Sequence, residues 1–431
     1  MLKAKFSPPR MKSVAVAFMA VWLAVFSAAG AVNAAGTAGG EWVDNPLGLE
    51  VSSAILIDAD SGQVVYEVNA DEPRPPASMT KLMTEYIVLE EISKKALTWD
   101  EIITVSQEAA STPPDGSQIY LAAGDQHSVK DLYIAMAVGS ANDATIALAS
   151  QIGGSEAGFI DKMNETAKEL GLTTAHFTSA TGLLDTTIIS ARDMAKLAQT
   201  ILAKHPEFLE YSNLQKYKFR ERDKQPMINW NWMLGANKDV KNFKQFAYEG
   251  VDGMKTGYIS KAGYTFTGTV KRGDTRYISV VMNTRSKEAR FGETAKLYNY
   301  AFNTFEKKSV IAPKTVVETL EKTKIKKGVQ KTVPIVTESD VTFTVKKNVE
   351  PKIEMTGHEL MSDSELVAPI KAGQKVGTVT YTYTDDEGKK IDKTVNLIAS
   401  EDVKKGGWFR LFFRGIGHFF SGLFDGIVNL F

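Results

Sequence analysis

Short β-rich runs stand at both ends of a long helical stretch, and this bracketing restricts the fold more than any other feature of the chain. Residues 54–58 and 63–68 are rich in β-branched and apolar side chains and are joined by Asp60-Ser61-Gly62, the pattern of a hairpin. Residues 264–270 and 276–282 repeat that pattern across Lys271-Arg272-Gly273-Asp274-Thr275. Between the two pairs, residues 81–93, 131–138, 144–151 and 158–170 carry helical spacing. Strands at both ends with helices between them predict one α+β domain whose terminal strands share a sheet. After about Pro313 the texture changes. Residues 333–336, 341–345, 375–384 and 390–398 alternate strongly, with a turn at Asp385-Asp386-Glu387-Gly388 and only one helical turn expected, near 316–321. This part reads as a separate small β-sandwich domain.

Composition narrows the chemistry. At about 100–200 residues per domain, 431 residues hold two or three domains. The 51 basic and 51 acidic residues cancel, so there is no basic field to hold nucleic acid, and that class of partner is set aside. The absence of cysteine excludes disulfides, a thiol nucleophile and thiolate metal ligands. His127, His176, His205, His358 and His418 are scattered without an HExxH pair, so neither a metal nor a cofactor is expected.

The two ends read as addresses. Lys3, Lys5, Arg10 and Lys12 precede an apolar run over 13–26 and then small residues through Val32, Asn33 and Ala34. That order is a secretory signal peptide over 1–34, and its apolar run is shorter than the ~20 residues a spanning helix needs. At the other end Trp408, Phe412, Ile416, Phe419, Leu423, Ile427 and Leu430 recur every three or four residues, with Arg410, Arg414, Asp425 and Asn429 opposite. Such an aromatic, amphipathic segment lies in a membrane interface; the plainer alternative is a helix docked on the body. The expected organisation is therefore 1–34 signal, 35–312 α+β domain, 313–400 β-sandwich and 401–431 membrane anchor, placing an exported body at the outer face of the membrane.

Three short motifs carry chemistry. Ser78-Met79-Thr80-Lys81 opens an apolar-periodic helix, which sets the Ser78 hydroxyl near unpaired backbone N–H groups and Lys81 on the same helical face. A serine hydroxyl needs a base, and lysine can serve once burial and a nearby cation keep it neutral. Ser140-Ala141-Asn142 lies at a helix–helix junction and offers a hydroxyl and an amide; by itself it is better read as an N-cap beside a turn. Lys255-Thr256-Gly257 precedes the second strand pair and supplies a cation and a hydroxyl suited to a carboxylate; by itself it is as well read as a surface turn.

In this order the three motifs are the SxxK, SxN and KTG set of penicillin-binding proteins and serine β-lactamases. The chain resembles the low-molecular-mass D-alanyl-D-alanine carboxypeptidases, the type-5 penicillin-binding protein family. The likeness extends through residues 251–258 and 261–264, Thr181-Gly182-Leu183, residues 190–195 and residues 290–294, and covers nearly everything from Glu41 onward. Two details depart from the commonest pattern: Ala141 stands where many members have glycine, and Trp230 and Trp232 stand where some relatives place a basic residue.

The resemblance implies an α+β catalytic domain of the β-lactamase and penicillin-binding-protein kind, with an antiparallel sheet and helices, followed by a small all-β domain. It implies Ser78 as nucleophile, Lys81 as its base and Ser140 as proton relay. Asn142 would hold Lys81 and the substrate amide, while Lys255 and Thr256 with Gly257, Tyr258 and Arg290 would bind the end of the substrate. The implied partners are a peptidoglycan pentapeptide ending in D-Ala-D-Ala and β-lactams as covalent inhibitors. A class A β-lactamase also needs a glutamate to activate the deacylating water. Here Glu165 and Glu169 fall in an ordinary helical stretch. A catalytically silent penicillin-binding wall protein is the other alternative, and the intact Ser78, Lys81 and Ser140 argue against it.

Overall fold

The computed structural model describes residues 45–410. The signal segment and the anchor from residue 411 onward lie outside the described residues. Strands β1 (Ser53–Asp58) and β2 (Val64–Val68) form the first hairpin. Helices α1 (Lys81–Ser93), α2 (Val129–Gly139), α3 (Asn142–Gly153), α4 (Glu156–Glu169) and α5 (Ala191–Lys204) follow. Strands β3 (Val251–Ile259), β4 (Gly263–Arg272) and β5 (Thr275–Thr284) then lead into α6 (Lys287–Thr304). The order β2-β1-β5-β4-β3 is antiparallel throughout, so the first and last strands of this part do share one sheet. The turn between β4 and β5 is tighter than the five residues expected, because pairing persists to Arg272 and Thr275.

The sheet is buried on both faces, and its period-two alternation feeds two cores. Ile55 and Ile57 of β1, with Ile278, Val280 and Met282 of β5, join Leu82, Leu132, Leu148, Phe159 and Leu197 of the helices. The intervening Ala54, Leu56, Tyr277 and Val281 pack on the opposite face with Leu297, Tyr298 and Ala301 of α6. Serine side chains cap several helices: the hydroxyls of Ser128, Ser155, Ser190 and Ser286 accept from backbone N–H groups of the first turns of α2, α4, α5 and α6.

From α6 to residue 407 the chain forms strands and no helix: β6 (Phe305–Ile311), β7 (Lys322–Lys324), β8 (Thr332–Thr337), β9 (Val341–Lys346), β10 (Lys352–Leu360), β11 (Lys375–Thr384) and β12 (Lys390–Ala399). A five-stranded sheet β7-β8-β12-β11-β10 and a two-stranded sheet β6-β9 enclose a core that includes Val333, Ile335, Phe343, Val376 and Leu397. Residues 316–321 form no helix; they make a single turn closed by Leu320 N–H donating to Val317 O. Strand β10 pairs with β11 although nothing in its sequence announced it, because its side chains are mostly exposed and do not alternate.

Candidate active site

The three motifs reach one cleft from three elements. Ser78 sits in a tight turn, Ala77–Thr80, just ahead of α1 rather than inside it. Ala77 adopts a left-handed φ of 51° there, which turns Ser78 toward the cleft. The carbonyl of Ala77 lies so close to Gly182 that a Cβ on Gly182 would be 2.0 Å from it. Ser140 also has a left-handed backbone, φ 57°, where α2 stops, and Asn142 begins α3 two residues later. That bend aims a hydroxyl and an amide from two helices at the same place. The third motif lies on edge strand β3, and a Cβ on Gly257 would come within 3.0 Å of Ser78 N and 2.7 Å of Pro76 O. Only glycine lets strand and turn approach this closely.

Lys81 is wholly buried, and its Nζ contacts Asn142 Oδ1 at 2.7 Å, the Thr181 carbonyl at 2.8 Å and Ser78 Oγ at 3.2 Å. Burial, then the charge of Lys255, holds Lys81 well below the ordinary lysine value, against the upward pull of Glu85, Asp143 and Glu156. A neutral amine has two N–H groups and one lone pair. The two shorter contacts take the N–H groups and leave the lone pair facing the Ser78 hydroxyl. The second lysine is arranged differently. Lys255 Nζ donates to Ser140 Oγ at 2.9 Å and to the Thr256 carbonyl at 3.2 Å. Burial lowers it too, opposed by Glu85 and reinforced by Arg290.

A cavity of about 680 Å³ opens above these groups, bordered by Ser78, Ser140 and Asn142 on one side and by Thr256, Gly257 and Tyr258 on the other. Arg290 also lines it; its Nη1 donates to the Gly257 carbonyl at 3.3 Å, and burial lowers its guanidinium to about 10. The chemistry-bearing residues of the three motifs, with Tyr258 and Arg290, therefore lie at this cleft, Lys81 and Lys255 beneath its floor through their hydrogen bonds. Tyr258 is half exposed and stacks on Tyr264 with centroids 4.3 Å apart. Trp230 borders both the cleft and a neighbouring hollow of about 420 Å³, while Trp232 stacks on Phe243 at 5.3 Å. Among the described residues no group of three or more histidines or carboxylates is placed to hold a metal.

Some contributors escaped the sequence reading. Thr181 acts through its backbone carbonyl; Thr181-Gly182-Leu183 belonged to the family likeness, but no role followed from it. Glu156 steadies the same segment by accepting from Ala180 N–H at 3.0 Å. Glu165 and Glu169 of α4 are exposed.

Residues 42–286 match the family described as D-alanyl-D-alanine carboxypeptidase, and residues 305–405 match the C-terminal domain of penicillin-binding protein 5. A D-alanyl-D-alanine carboxypeptidase of Bacillus subtilis, DacF, is 33% identical over 86% of this chain and 90% of its own length. The crystal structure of penicillin-binding protein 5 from Haemophilus influenzae superposes with a TM-score of 0.68 at 30% identity, covering 86% of this chain and all of that one. Penicillin-binding protein D2 of Listeria monocytogenes, solved in a cefotaxime-bound form, is 34% identical over 59% of this chain and 98% of its own, with a TM-score of 0.52. With a buried lysine beside the serine and a second one bonded to the middle motif, on the fold these relatives share, the chain belongs to the D-alanyl-D-alanine carboxypeptidase family of serine peptidases, the type-5 penicillin-binding proteins.

Proposed function

We propose that this serine D-Ala-D-Ala carboxypeptidase trims peptidoglycan pentapeptides through an ester on Ser78. Ser78 Oγ attacks the carbonyl carbon between the last two D-alanines while its proton passes to Lys81. The tetrahedral oxygen is held by the backbone N–H groups of Ser78 and Tyr258. Loss of one such donor in an acyl-transfer site typically costs about 100–1,000-fold in rate. As the C–N bond breaks, Ser140 relays the proton held by Lys81 to the departing amine, and Asn142 fixes both Lys81 and the substrate amide. Lys255 and Thr256 bind the terminal carboxylate, helped by Arg290. Water then cleaves the ester and releases the shortened peptide. A β-lactam, whose strained amide resembles the scissile one, acylates the same oxygen and leaves slowly.

The observation that carries this reading is the Lys81 Nζ, buried and 3.2 Å from Ser78 Oγ, with Lys255 bonded to Ser140 in the same cleft. Export and a peripheral seat on the outer membrane face belong to the same proposal. The basic, apolar and small order of the first 34 residues supports export, and the exposed, stacked pair Trp408 and Phe409 supports an interfacial tail. Among the described residues no helix is long and apolar enough to cross a membrane. Mass spectrometry after penicillin treatment tests the chemistry. The adduct is expected on the peptide containing Ser78, Ser78→Ala carries none, and the unmodified enzyme releases free D-alanine from pentapeptide. An adduct that persists in Ser78→Ala would remove Ser78 from the nucleophile's role.

A further inference from the structure

Directly behind Lys81 lies a carboxyl with no evident structural duty. Glu85 is one helical turn further along α1 and therefore on the same face. It is only 1% exposed, and its Oε1 has no hydrogen-bond partner among the described residues. Buried carboxylates are ordinarily paired, since an unpaired one forfeits its hydration without return. The groups acting on it are cations: Lys255 from β3 and Lys81 from its own helix. From α2 the Tyr133 hydroxyl, also buried and without a partner, feels the Glu85 charge. Asp143 and Glu156 act on Lys81, and Arg290 acts on Lys255, so the buried Glu85 carboxyl is one of several charges felt by the two lysines.

We propose that Glu85 is a positioning residue of this active site, a buried carboxyl that touches no substrate and whose charge keeps the proton on Lys255 as the solution turns alkaline. The inference rests on the carboxypeptidase reading above, in which Lys81 must be neutral and Lys255 charged. Burial raises Glu85 far above the usual carboxylate range, and Lys255 and Lys81 pull it back down. In the acid half of the range Glu85 is therefore neutral and leaves Lys81 free to lose its proton. As pH rises Glu85 ionises, and its negative charge arrives where Lys255 would otherwise begin to deprotonate. A permanently ionised group at position 85 would instead hold a proton on Lys81 and disable the base. A permanently neutral one would let Lys255 discharge early.

The test is the pH profile of acylation by a chromogenic β-lactam, for the full chain and for Glu85→Gln. The parent is expected to show an acid limb set by Lys81 and an alkaline limb set by Lys255. Glu85→Gln should move the alkaline limb down by about one pH unit, the scale of a nearby opposite charge, and leave the acid limb in place. A folded Glu85→Gln with an unmoved alkaline limb overturns the proposal, while a parent that is never acylated overturns the carboxypeptidase reading instead. Should the variant not fold, carbon-13 NMR of the Glu85 carboxyl in the parent decides. It should remain protonated at about pH 6, well above the unperturbed glutamate value, and ionise on the alkaline side. A carboxyl already ionised there would overturn the proposal.

Discussion

Gly257 is where β3 comes nearest to the nucleophile, and its missing side chain is what permits the approach. A Cβ there would meet Thr265 Oγ1 at 2.5 Å, Pro76 O at 2.7 Å and Ser78 N at 3.0 Å. Two of these are backbone atoms that cannot swing aside, so Gly257→Ala must push the strand off the turn. Lys255, two residues away, would be carried off Ser140, and the Ser78 N–H would lose its alignment. Displacements of about an ångström in such sites cost on the order of 100-fold in rate. Acylation of Gly257→Ala by a fluorescent penicillin is therefore expected to fall by about 100-fold with the protein still folded. A rate within a few-fold of the parent would show that this close approach is dispensable. Lys81 illustrates the complementary point. Burial lowers its hold on a proton, and its aim comes from two hydrogen-bond acceptors, Asn142 and Thr181, that no single stretch of sequence places together.

At the scale of elements, the start of α3 fastens the cleft wall. The Asp143 carboxylate accepts from the N–H groups of Ile119, Leu121 and Ala144 at 3.0–3.1 Å, while Asn142 N–H donates to the Ser117 carbonyl at 2.7 Å. Asp143→Asn keeps the shape, discards the charge and turns an N–H donor toward other donors. Hydrogen bonds to charged groups contribute about 1.5–3 kcal/mol, so a loss of roughly 2 kcal/mol in a urea melt is expected. A change below about 0.5 kcal/mol, the scale of ordinary surface substitutions, would show that the wall is held elsewhere. Legibility also divides at this scale. Strands β1 and β5 could be read from sequence because burial on both faces demands continuous apolar runs, and α1 because its apolar spacing follows directly on SxxK. Strand β10 could not, since an exposed edge imposes no alternation. The role of Thr181 was silent, though its segment was familiar, because a carbonyl does its work whatever side chain it carries, and Glu85 was silent because a carboxyl within a helical pattern looks like any solvated position.

Across the whole molecule, the catalytic sheet and the β part are clamped by a side chain that imitates a strand. Gln63, at the tip of the first hairpin, donates to the Thr344 carbonyl at 2.6 Å and accepts from Thr344 N–H at 3.0 Å, and Thr344 Oγ1 lies 3.2 Å from Asp58 Oδ2. Lys307 of β6 reaches Asp60 and the Asp274 carbonyl beside it. After the β part, Trp408 and Phe409 at the start of the amphipathic segment are exposed. Interfacial binding grows with the apolar area buried, and each arginine near an anionic surface adds about 1 kcal/mol. A chain ending at Lys405 loses both aromatic residues together with Arg410 and Arg414. It is expected to remain in the supernatant when vesicles of phosphatidylglycerol and phosphatidylethanolamine are sedimented, while the chain retaining the segment pellets with them. Turnover of a soluble pentapeptide should be equal for the two, because among the described residues none that lines the cleft lies beyond Arg290. If the shortened chain still pelleted, attachment would have to come from the β part itself; if its turnover on the soluble peptide also fell, the tail would be acting on the cleft and not only on its address.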